Sequence, residues 1–415
     1  MLRSFGVATL LATLAVPSTQ AQQPDSIRRR ADSLALLREL EGRGDTLPRR
    51  PGPGTPQAVQ RLLPDISVVG DIVGDFSPEG STQEDASRLG VREIEVAFQA
   101  AVDPYFRGDV FLGFSDAEGV HIEQAFLTTL AVPAIEARIG RFLMPITKLN
   151  GTHRHDLHTF EFPWVVQRFL GEEGLKGTGL YLSRIFAPLG FYQELQLSAG
   201  NRLSELEHGH EEEEEELLTA EPPNKELSGM GFSARLRNYW DLTEAANLEL
   251  SASAATGRRE QPVDFGVVTP APGDPNAINA RQSLLGADLT LRWRPLQQGL
   301  YRSLIVQGEF LRQVNERVSD PNYGGPARDF NGVYGFARWQ LSRRVYLGGR
   351  YDWLEDPELD GATMTAGSGY LQWYPSEFSK LMLAFERVMP TGLEATNRIL
   401  LQATFALGPH KPHPF

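Results

Sequence analysis

Apolar and polar residues alternate with a period of two through most of the chain after residue 64. Strands that cross a membrane in a closed barrel show this alternation, because one face meets lipid and the other meets the lumen. We therefore predict about sixteen strands of ~10 to 14 residues, an even count that returns both ends of the chain to the same side. They lie at 66–76, 91–102, 105–115, 120–130, 135–144, 174–185, 190–199, 230–240, 244–256, 282–293, 301–314, 330–341, 344–354, 363–374, 378–389 and 398–407.

The connections between these strands alternate between short turns and mostly much longer segments. The short turns include Asp103-Pro104, Ala187-Pro188, Asp241-Leu242, Ser342-Arg343 and Pro375-Ser376, and the long segments include 77–90, 146–173, 201–229 and 257–281. In outer-membrane barrels, short turns lie at the periplasmic face and long loops lie outside. Aromatic residues flank several short turns and predict a girdle at the inner rim. These residues are Phe186, Tyr192, Tyr239, Trp240, Trp293, Tyr301, Trp339, Tyr346, Trp373 and Tyr374.

The N-terminus has the pattern of a secretory signal peptide at residues 1–21. Arg3 precedes an apolar run at 7–16, and small residues follow up to a cleavage site near Ala21. This run is too short to span a bilayer as a helix, which needs ~20 residues, and no later segment comes close. Residues 22–63 form a separate periplasmic segment, either a short helix with a Pro/Gly-rich linker or a disordered leader.

These patterns together predict an all-β fold, a transmembrane antiparallel β-barrel of about 16 strands formed by residues 64–415. The predicted location is the outer membrane of a Gram-negative-type bacterium. The alternative is a large soluble β-sandwich or propeller, whose strands would be nearer ~5 residues long. The chain has no cysteine, which excludes disulfides and thiolate metal sites. Its formal charge of −13 argues against a nucleic-acid partner.

The alternation also separates lipid-facing from lumen-facing positions. It turns apolar residues such as Ile94, Leu250 and Leu401 toward lipid and their charged neighbours inward, although Gln124 and Arg141 break the pattern and indicate bulges or a shifted register. The predicted pore-lining residues are Glu93, Glu95, Arg107, Asp109, Glu136, Arg138, Glu194, Arg235, Arg237, Glu249, Asp288, Arg292, Arg294, Arg338 and Arg350.

So many inward charges predict a hydrated interior, because burying unpaired charge costs several kcal/mol per ion. The acidic residues come mainly from the first nine strands and the arginines mainly from the later half. This distribution predicts a transverse field across the lumen. In the alternative interpretation, the charges pair across adjacent strands and only stiffen the barrel, as with Arg107 beside Asp109.

The third outside loop, 146–173, is predicted to fold into the lumen and form a constriction, as the loop at this position does in 16-stranded porins. It carries His153, His155 and His158, while the next outside loop carries His208, His210 and a glutamate run. Imidazoles suit zinc and other divalent transition metals, so these five histidines are the candidate metal ligands. The alternative is a mobile charge cloud that concentrates cations nonspecifically.

Several stretches beyond residue 62 resemble a family of bacterial outer-membrane barrels. That family is similar in layout to phosphate-selective porins, and its members are sometimes labelled zinc-regulated outer-membrane receptors. The resemblance covers most of the chain and implies a barrel more firmly than it implies a substrate. The stretches that carry it are Leu63-Pro64-Asp65-Ile66-Ser67-Val68-Val69-Gly70-Asp71, Ala100-Ala101-Val102-Asp103-Pro104-Tyr105, Gly140-Arg141-Phe142 through Lys148-Leu149-Asn150-Gly151-Thr152-His153, Phe169-Leu170-Gly171-Glu172-Glu173-Gly174-Leu175 and Phe405-Ala406-Leu407-Gly408-Pro409-His410.

From these observations we predict a porin-like channel for passive diffusion of small polar or ionic solutes. One alternative is a receptor or transporter that binds zinc or another divalent metal through the His/Glu-rich loops, and a second is a non-conducting structural or adhesive barrel. We expect no required cofactor and no enzymatic activity, because no serine or asparagine completes a hydrolase constellation around His121 and Glu123. The expected partners are outer-membrane lipid and the solutes, and a homotrimer is a further hypothesis.

Overall fold

A computed structural model of the protein describes residues 64–83, 86–115, 119–132, 134–171, 174–201, 203, 230–259, 280–315, 328–359 and 361–408. The predicted signal peptide, the segment 22–63, His208 and His210 lie outside these residues. Sixteen strands are present and agree with the predicted ones to within a few residues. They are β1 Asp65–Asp75, β2 Leu89–Ala101, β3 Phe106–Ser115, β4 Gly119–Thr129, β5 Ile135–Leu143, β6 Lys176–Phe186, β7 Tyr192–Gly200, β8 Gly231–Thr243, β9 Ala246–Arg259, β10 Ala280–Trp293, β11 Leu304–Asn315, β12 Arg328–Ser342, β13 Val345–Asp356, β14 Ala362–Ser376, β15 Ser379–Pro390 and β16 Thr396–Leu407.

The strands form one closed antiparallel barrel in which each pairs with its neighbours in sequence. The ring closes between β1 and β16, where Val68 stands opposite Leu407 and Asp75 opposite Leu400. Closure matters because a sheet edge left open in lipid would expose unpaired backbone groups, each at a cost of several kcal/mol. No helix among the described residues is long and apolar enough to cross a membrane.

Alternate side chains face opposite sides of the barrel wall, as the period-two pattern predicts. In β9, for example, Glu249 is buried inside at 3% exposure while the adjacent Leu250 is 43% exposed on the outer face. The outer face of the described strands is rich in exposed leucine, isoleucine, phenylalanine and tryptophan. Such a band is stable when lipid covers it, and it agrees with the predicted transmembrane barrel.

The aromatic girdle was predicted correctly only in part. Trp339 and Trp373 are exposed on the outer face, and Trp293 stacks on Trp339 with ring centroids 5.7 Å apart. Tyr346 and Tyr374, however, are buried inside the barrel and contact each other edge to face at 5.4 Å. Their assignment to the girdle was wrong, because the alternation of β13 and β14 turns both rings inward.

The connection between β5 and β6, residues 144–175, is called loop L3. It contains two short 3-10 turns, Leu149–Gly151 and Arg154–Asp156, and one helix, α1, at Trp164–Leu170. Loop L3 lies inside the barrel, and α1 contacts β11, β12 and β13. The lumen is therefore occupied by loop L3 as well as by the inward side chains of the wall.

Candidate functional site

The apolar side chains of loop L3 form a packed core within the barrel. Phe162, Val165 and Phe169 are each no more than 3% exposed. Their partners are inward-facing apolar residues of the wall, which the sequence pattern had not singled out. The wall residues of this cluster include Leu284, Leu311, Tyr334, Phe336, Leu354, Met364, Ala366 and Val388. This part of the lumen is therefore filled by side chains, and burial of apolar area stabilises the infolded loop.

Helix α1 fits closely against the wall at two points. The Trp164 backbone N–H donates to Asp352 Oδ1 at 3.0 Å, so a strand carboxylate satisfies one of the free amides at the first turn of the helix. Val165 packs over Gly332 of β12, where an added Cβ would lie 2.2 Å from its Cγ2 atom. Only glycine at position 332 allows this approach.

Asn150 joins the two ends of loop L3. Its Nδ2 group donates to the carbonyls of Met144 at 2.7 Å and Leu175 at 3.0 Å, and its Oδ1 accepts from the Leu175 N–H at 2.6 Å. The side chain is 1% exposed, so no water replaces these bonds. Gly174 has φ +81, and a Cβ there would lie 2.7 Å from Asn150 Oδ1. Asn150 thus holds the loop closed at its base.

Long polar side chains of the wall donate hydrogen bonds to backbone carbonyls of loop L3. Lys380 of β15 donates to the His155 carbonyl at 2.8 Å, and Gln372 of β14 donates to the His158 carbonyl at 2.7 Å. The remaining donors are Arg92 to the Phe160 carbonyl at 3.0 Å and Arg350 to the Glu161 carbonyl at 2.8 Å. These bonds supply partners that an irregular backbone inside a protein otherwise lacks.

Glu161 of loop L3 belongs to a buried network of ion pairs. Arg398 of β16 binds it through both guanidinium NH groups, with Nη2 3.3 Å from Oε2, and also binds Glu386 of β15 at 2.7 Å. Arg350 binds the same Glu386 at 2.9 Å. Burial alone would raise the pKa of Glu161, but Arg398 and the other arginines outweigh it and lower that pKa below its usual value.

Further along the ring, on β2 and β4, loop L3 meets two carboxylates. His153 Nδ1 lies 2.7 Å from Glu95 Oε2 of β2 and 3.1 Å from Glu123 Oε1 of β4. Burial disfavours the imidazolium, but the carboxylates of Glu123 and Glu95 outweigh it and raise the pKa of His153 well above its usual value. The ring of His155 lies 5.5 Å from that of His153, and His155 Nδ1 is 3.7 Å from Glu95 Oε2.

A β-bulge in β4 brings Glu123 into this cluster. Phe111 pairs with Gln124 and Leu112 pairs with Ile122, so Glu123 is the extra residue of the bulge. Glu123 and Gln124 consequently both face inward, and Gln124 Nε2 lies 3.1 Å from His153 Nε2. This bulge accounts for the break in alternation at Gln124.

A third group of charges surrounds Glu249 of β9. Lys148 of loop L3 lies 2.5 Å from Glu249 Oε2, and Arg237 and Arg292 bind the same carboxylate at 3.2 and 3.5 Å. Burial and repulsion from Arg292 lower the pKa of Lys148 to about 8, although Glu249 opposes that shift. The backbone N–H of Leu149, beside Lys148, donates to Glu309 at 3.1 Å.

The predicted pore-lining residues are largely paired with one another. Short ion pairs connect Arg107 with Asp109 at 2.9 Å, Arg138 with Glu136 at 2.5 Å, Arg237 with Glu194 at 2.6 Å, Arg235 with Asp288 at 2.8 Å and Arg350 with Asp352 at 2.7 Å. Glu93 and Arg338 are also buried, whereas Arg294 lies exposed at a rim, where its Nε donates to the Gly299 carbonyl. Four of these pairs lie within a strand or between adjacent strands, as the alternative interpretation of these charges described, and Arg235 of β8 pairs with Asp288 of β10 across β9.

The structure separates the predicted metal-binding histidines. His153 and His155 share one cluster with carboxylates. His158 instead lies against Phe336, with ring centroids 6.1 Å apart, and burial together with Arg338 and Lys380 lowers its pKa well below the usual value. Those positive charges make the surroundings of His158 unfavourable for a cation.

Sequence analysis missed several residues that hold loop L3. They are Arg92, Glu123, Asn150, Glu161, Lys380 and Glu386. The inward alternation of β15, Lys380-x-Met382-x-Ala384-x-Glu386, could have revealed two of them. Nothing local to Asn150 or Glu161 marks their roles, because their partners come from other elements.

Comparisons with known proteins agree with the barrel architecture. No protein-family model and no curated protein sequence matches this chain. A solved trimer form of OmpT, an outer membrane protein of Vibrio cholerae, is 10% identical with a TM-score of 0.51, covering 83% of this chain and 99% of that one. OprB of Pseudomonas putida is 10% identical with a TM-score of 0.51, covering 85% and 96%, and OmpF of Salmonella typhi is 9% identical with a TM-score of 0.51, covering 84% and 99%. The chain therefore has the fold of bacterial outer-membrane barrels.

Proposed function

We propose that this protein is a porin-like outer-membrane channel in which small polar or ionic solutes diffuse passively past loop L3. The observation that carries the proposal is the path of that loop. His153 contacts β4 and Val165 packs on β12, and these strands stand eight positions apart in the ring of sixteen. Loop L3 thus crosses the barrel from one wall to the opposite wall and acts as the constriction.

Charge and packing at the constriction favour small solutes. The apolar core around α1 excludes water from one side of the lumen. The remaining inward face carries ion pairs, such as Arg237 with Glu194, whose atoms stay partly accessible. A solute that passes must therefore be narrow and tolerate a polar path, while an apolar solute gains little there. A catalytic role is not part of this proposal.

The outward apolar band is proposed to be in contact with outer-membrane lipid, and three barrels are proposed to associate. The trimer form of OmpT motivates the second statement. Semi-native electrophoresis of protein extracted from outer membranes tests both, with a heat-sensitive band near three times the chain mass as the expected result. Recovery of the protein from the soluble periplasmic fraction would contradict the membrane location.

Planar-bilayer recording tests the channel directly. The full chain is compared with a variant in which residues 146–173 are replaced by a short Gly/Ser linker, and heat-modifiable migration shows whether each barrel has folded. We expect small single-channel steps for the full chain and several-fold larger steps for the variant, because the variant lacks the segment that crosses the lumen. If neither protein conducts at any voltage, the barrel is a structural or adhesive element.

A further inference from the structure

Glu95, Glu123 and His153 form a compact cluster of ligand-type atoms from three separate elements. One carboxylate oxygen of each glutamate and one ring nitrogen of His153 all lie within 4.8 Å of one another. Neighbouring ligand atoms around a tetrahedral zinc ion stand ~3.3 Å apart, given metal–ligand bonds of ~2.0 to 2.1 Å. The distances from His153 Nδ1, 2.7 and 3.1 Å, lie within about 0.6 Å of that spacing.

The two carboxylates are buried and incompletely satisfied. Glu95 is 3% exposed and Glu123 is 6% exposed. Glu123 Oε2 has no hydrogen-bond partner among the described residues, whereas Glu95 Oε2 lies 2.7 Å from Nδ1 of His153. Two adjacent carboxylates in a poorly solvated site repel each other, and the His153 imidazolium offsets that repulsion. A divalent cation that replaces the Nδ1 proton, which leaves to solvent, carries one more positive charge and offsets the repulsion more strongly.

The surroundings of His153 hold its ring in a ligating orientation. Its Nδ1 edge faces the carboxylates, while its Nε2 edge faces the side-chain amide of Gln124. A ligating imidazole commonly hydrogen-bonds through its second nitrogen to a neighbouring group, and the Gln124 side-chain amide is the group that lies there. The Phe111 ring, with its centroid 5.2 Å from that of His153, closes one side. The ring is thus positioned by residues of the wall.

The donor set indicates the class of ion. Two carboxylates and an imidazole suit Zn²⁺, Co²⁺ or Ni²⁺, whereas Ca²⁺ takes six to eight oxygen ligands and Mg²⁺ retains several waters. His155 Nδ1, 3.7 Å from Glu95 Oε2, lies within reach of a fourth position. Lys176 adds a positive charge that acts on Glu123, so water or an anionic ligand also suits that position.

We propose that Glu95, Glu123 and His153 bind one divalent transition-metal ion that fastens loop L3 to β2 and β4. The site differs from the five-histidine arrangement, because two of its three ligands are strand carboxylates. It does not rest on solute conduction, since a non-conducting barrel could bind the metal equally well. Metal binding and channel activity are therefore tested by separate measurements.

Calorimetry with Zn²⁺ and absorption spectroscopy with Co²⁺ test the site on the refolded full chain in detergent. We expect one tight Zn²⁺ per chain and visible Co²⁺ bands of low-symmetry, four-coordinate geometry. Glu95→Gln, Glu123→Gln and His153→Asn should each weaken Zn²⁺ binding by ~10-fold or more, whereas Glu123→Asp, which keeps a carboxylate, should lose less. Excess Ca²⁺ should not compete.

Matched variants separate this site from other acidic or histidine-containing segments. His158→Asn changes a buried histidine of the same loop, Glu136→Gln removes an exposed carboxylate, and the double variant His208→Ala/His210→Ala removes the second histidine pair. All three should keep the tight Zn²⁺ and the Co²⁺ bands. The proposal is overturned if no tight Zn²⁺ binds, if Ca²⁺ competes equally, or if only the His208/His210 variant loses binding while folded Glu95, Glu123 and His153 variants retain it.

Discussion

Arg398 of β16 binds the carboxylate of Glu161 on the lumen side of the barrel wall, and the two residues are 237 positions apart in sequence. The pair connects loop L3 to the strand that closes the ring. Glu386 of β15 binds the same arginine. Both partners are largely shielded from water. A pair of this kind contributes little net stability over an apolar pair of similar shape, but removal of one partner leaves a buried charge unpaired.

This relationship predicts the effects of two variants of the ion pair. Arg398→Ala should destabilise the docked loop by about 3–5 kcal/mol, because the carboxylates of Glu161 and Glu386 lose their main counter-charge. The double variant Glu161→Leu/Arg398→Met should cost much less. Limited proteolysis of loop L3 in the folded barrel measures the docking equilibrium. Equal protease resistance in wild type and Arg398→Ala would show that the pair does not hold the loop.

Asn150→Ala should loosen loop L3 at its base. The substitution removes three hydrogen bonds and leaves the buried Leu175 N–H without its acceptor, at about 1–3 kcal/mol, while the carbonyls of Met144 and Leu175 still accept from the Ile146 and Met144 amides. We expect faster hydrogen exchange of backbone amides throughout loop L3 and noisier, larger conductance steps. Asn397→Ala, at a half-buried position at the start of β16, is the control and should change neither. Unchanged exchange in Asn150→Ala would contradict the assigned role.

The depressed pKa of Lys148 predicts a pH dependence of ion selectivity. Because burial and Arg292 lower that pKa to about 8, Lys148 is mostly charged at pH 7 and mostly neutral at pH 9. Raising the pH across this window removes one positive charge from loop L3 inside the barrel. The cation-to-anion permeability ratio should therefore rise by a factor of about two to five, the effect of one unit charge near the path in a high-dielectric medium.

Reversal potentials in asymmetric salt at pH 7 and pH 9 measure this change. Lys148→Arg keeps its positive charge at both pH values and should lose the part of the shift that Lys148 causes. Lys148→Met should resemble the high-pH state already at pH 7. The same shift in wild type and Lys148→Arg would assign the titration to another group.

A disulfide can test whether solutes pass beside a fixed loop or require its displacement. The native chain has no cysteine, so the two cysteines of the variant Val165→Cys/Gly332→Cys can form a disulfide only with each other. An added Cβ at position 332 would lie 3.0 Å from the Val165 Cβ, and a shift of ~0.5–1 Å reaches disulfide geometry. With a fixed constriction, conductance should be the same before and after reduction. A rise on reduction, absent in the single variant Val165→Cys, would show that α1 must move.

The sequence alone predicted where the strands lie, how many there are, and which of their residues face outward or inward. In β9 and β16, the period of two is a local property, imposed by lipid on every outward residue such as Leu250 or Leu401, and it needs no knowledge of distant partners. The loop at 146–173 could also be assigned to the interior, because its position in the order of strands and its apolar residues are both visible in the chain.

What fills the lumen was decided only by the tertiary structure. An inward residue such as Leu311 or Tyr334 packs well only because a segment more than a hundred residues away folds onto it. The bulge at Glu123 depends on how β4 pairs with β3, and a single extra residue there changes which side chain faces His153. Pairings of this kind are non-local, so no window of sequence contains them. Among the charges predicted to line the pore, Glu249 binds Lys148 and Arg350 binds the Glu161 carbonyl, so these two residues also hold loop L3 in place.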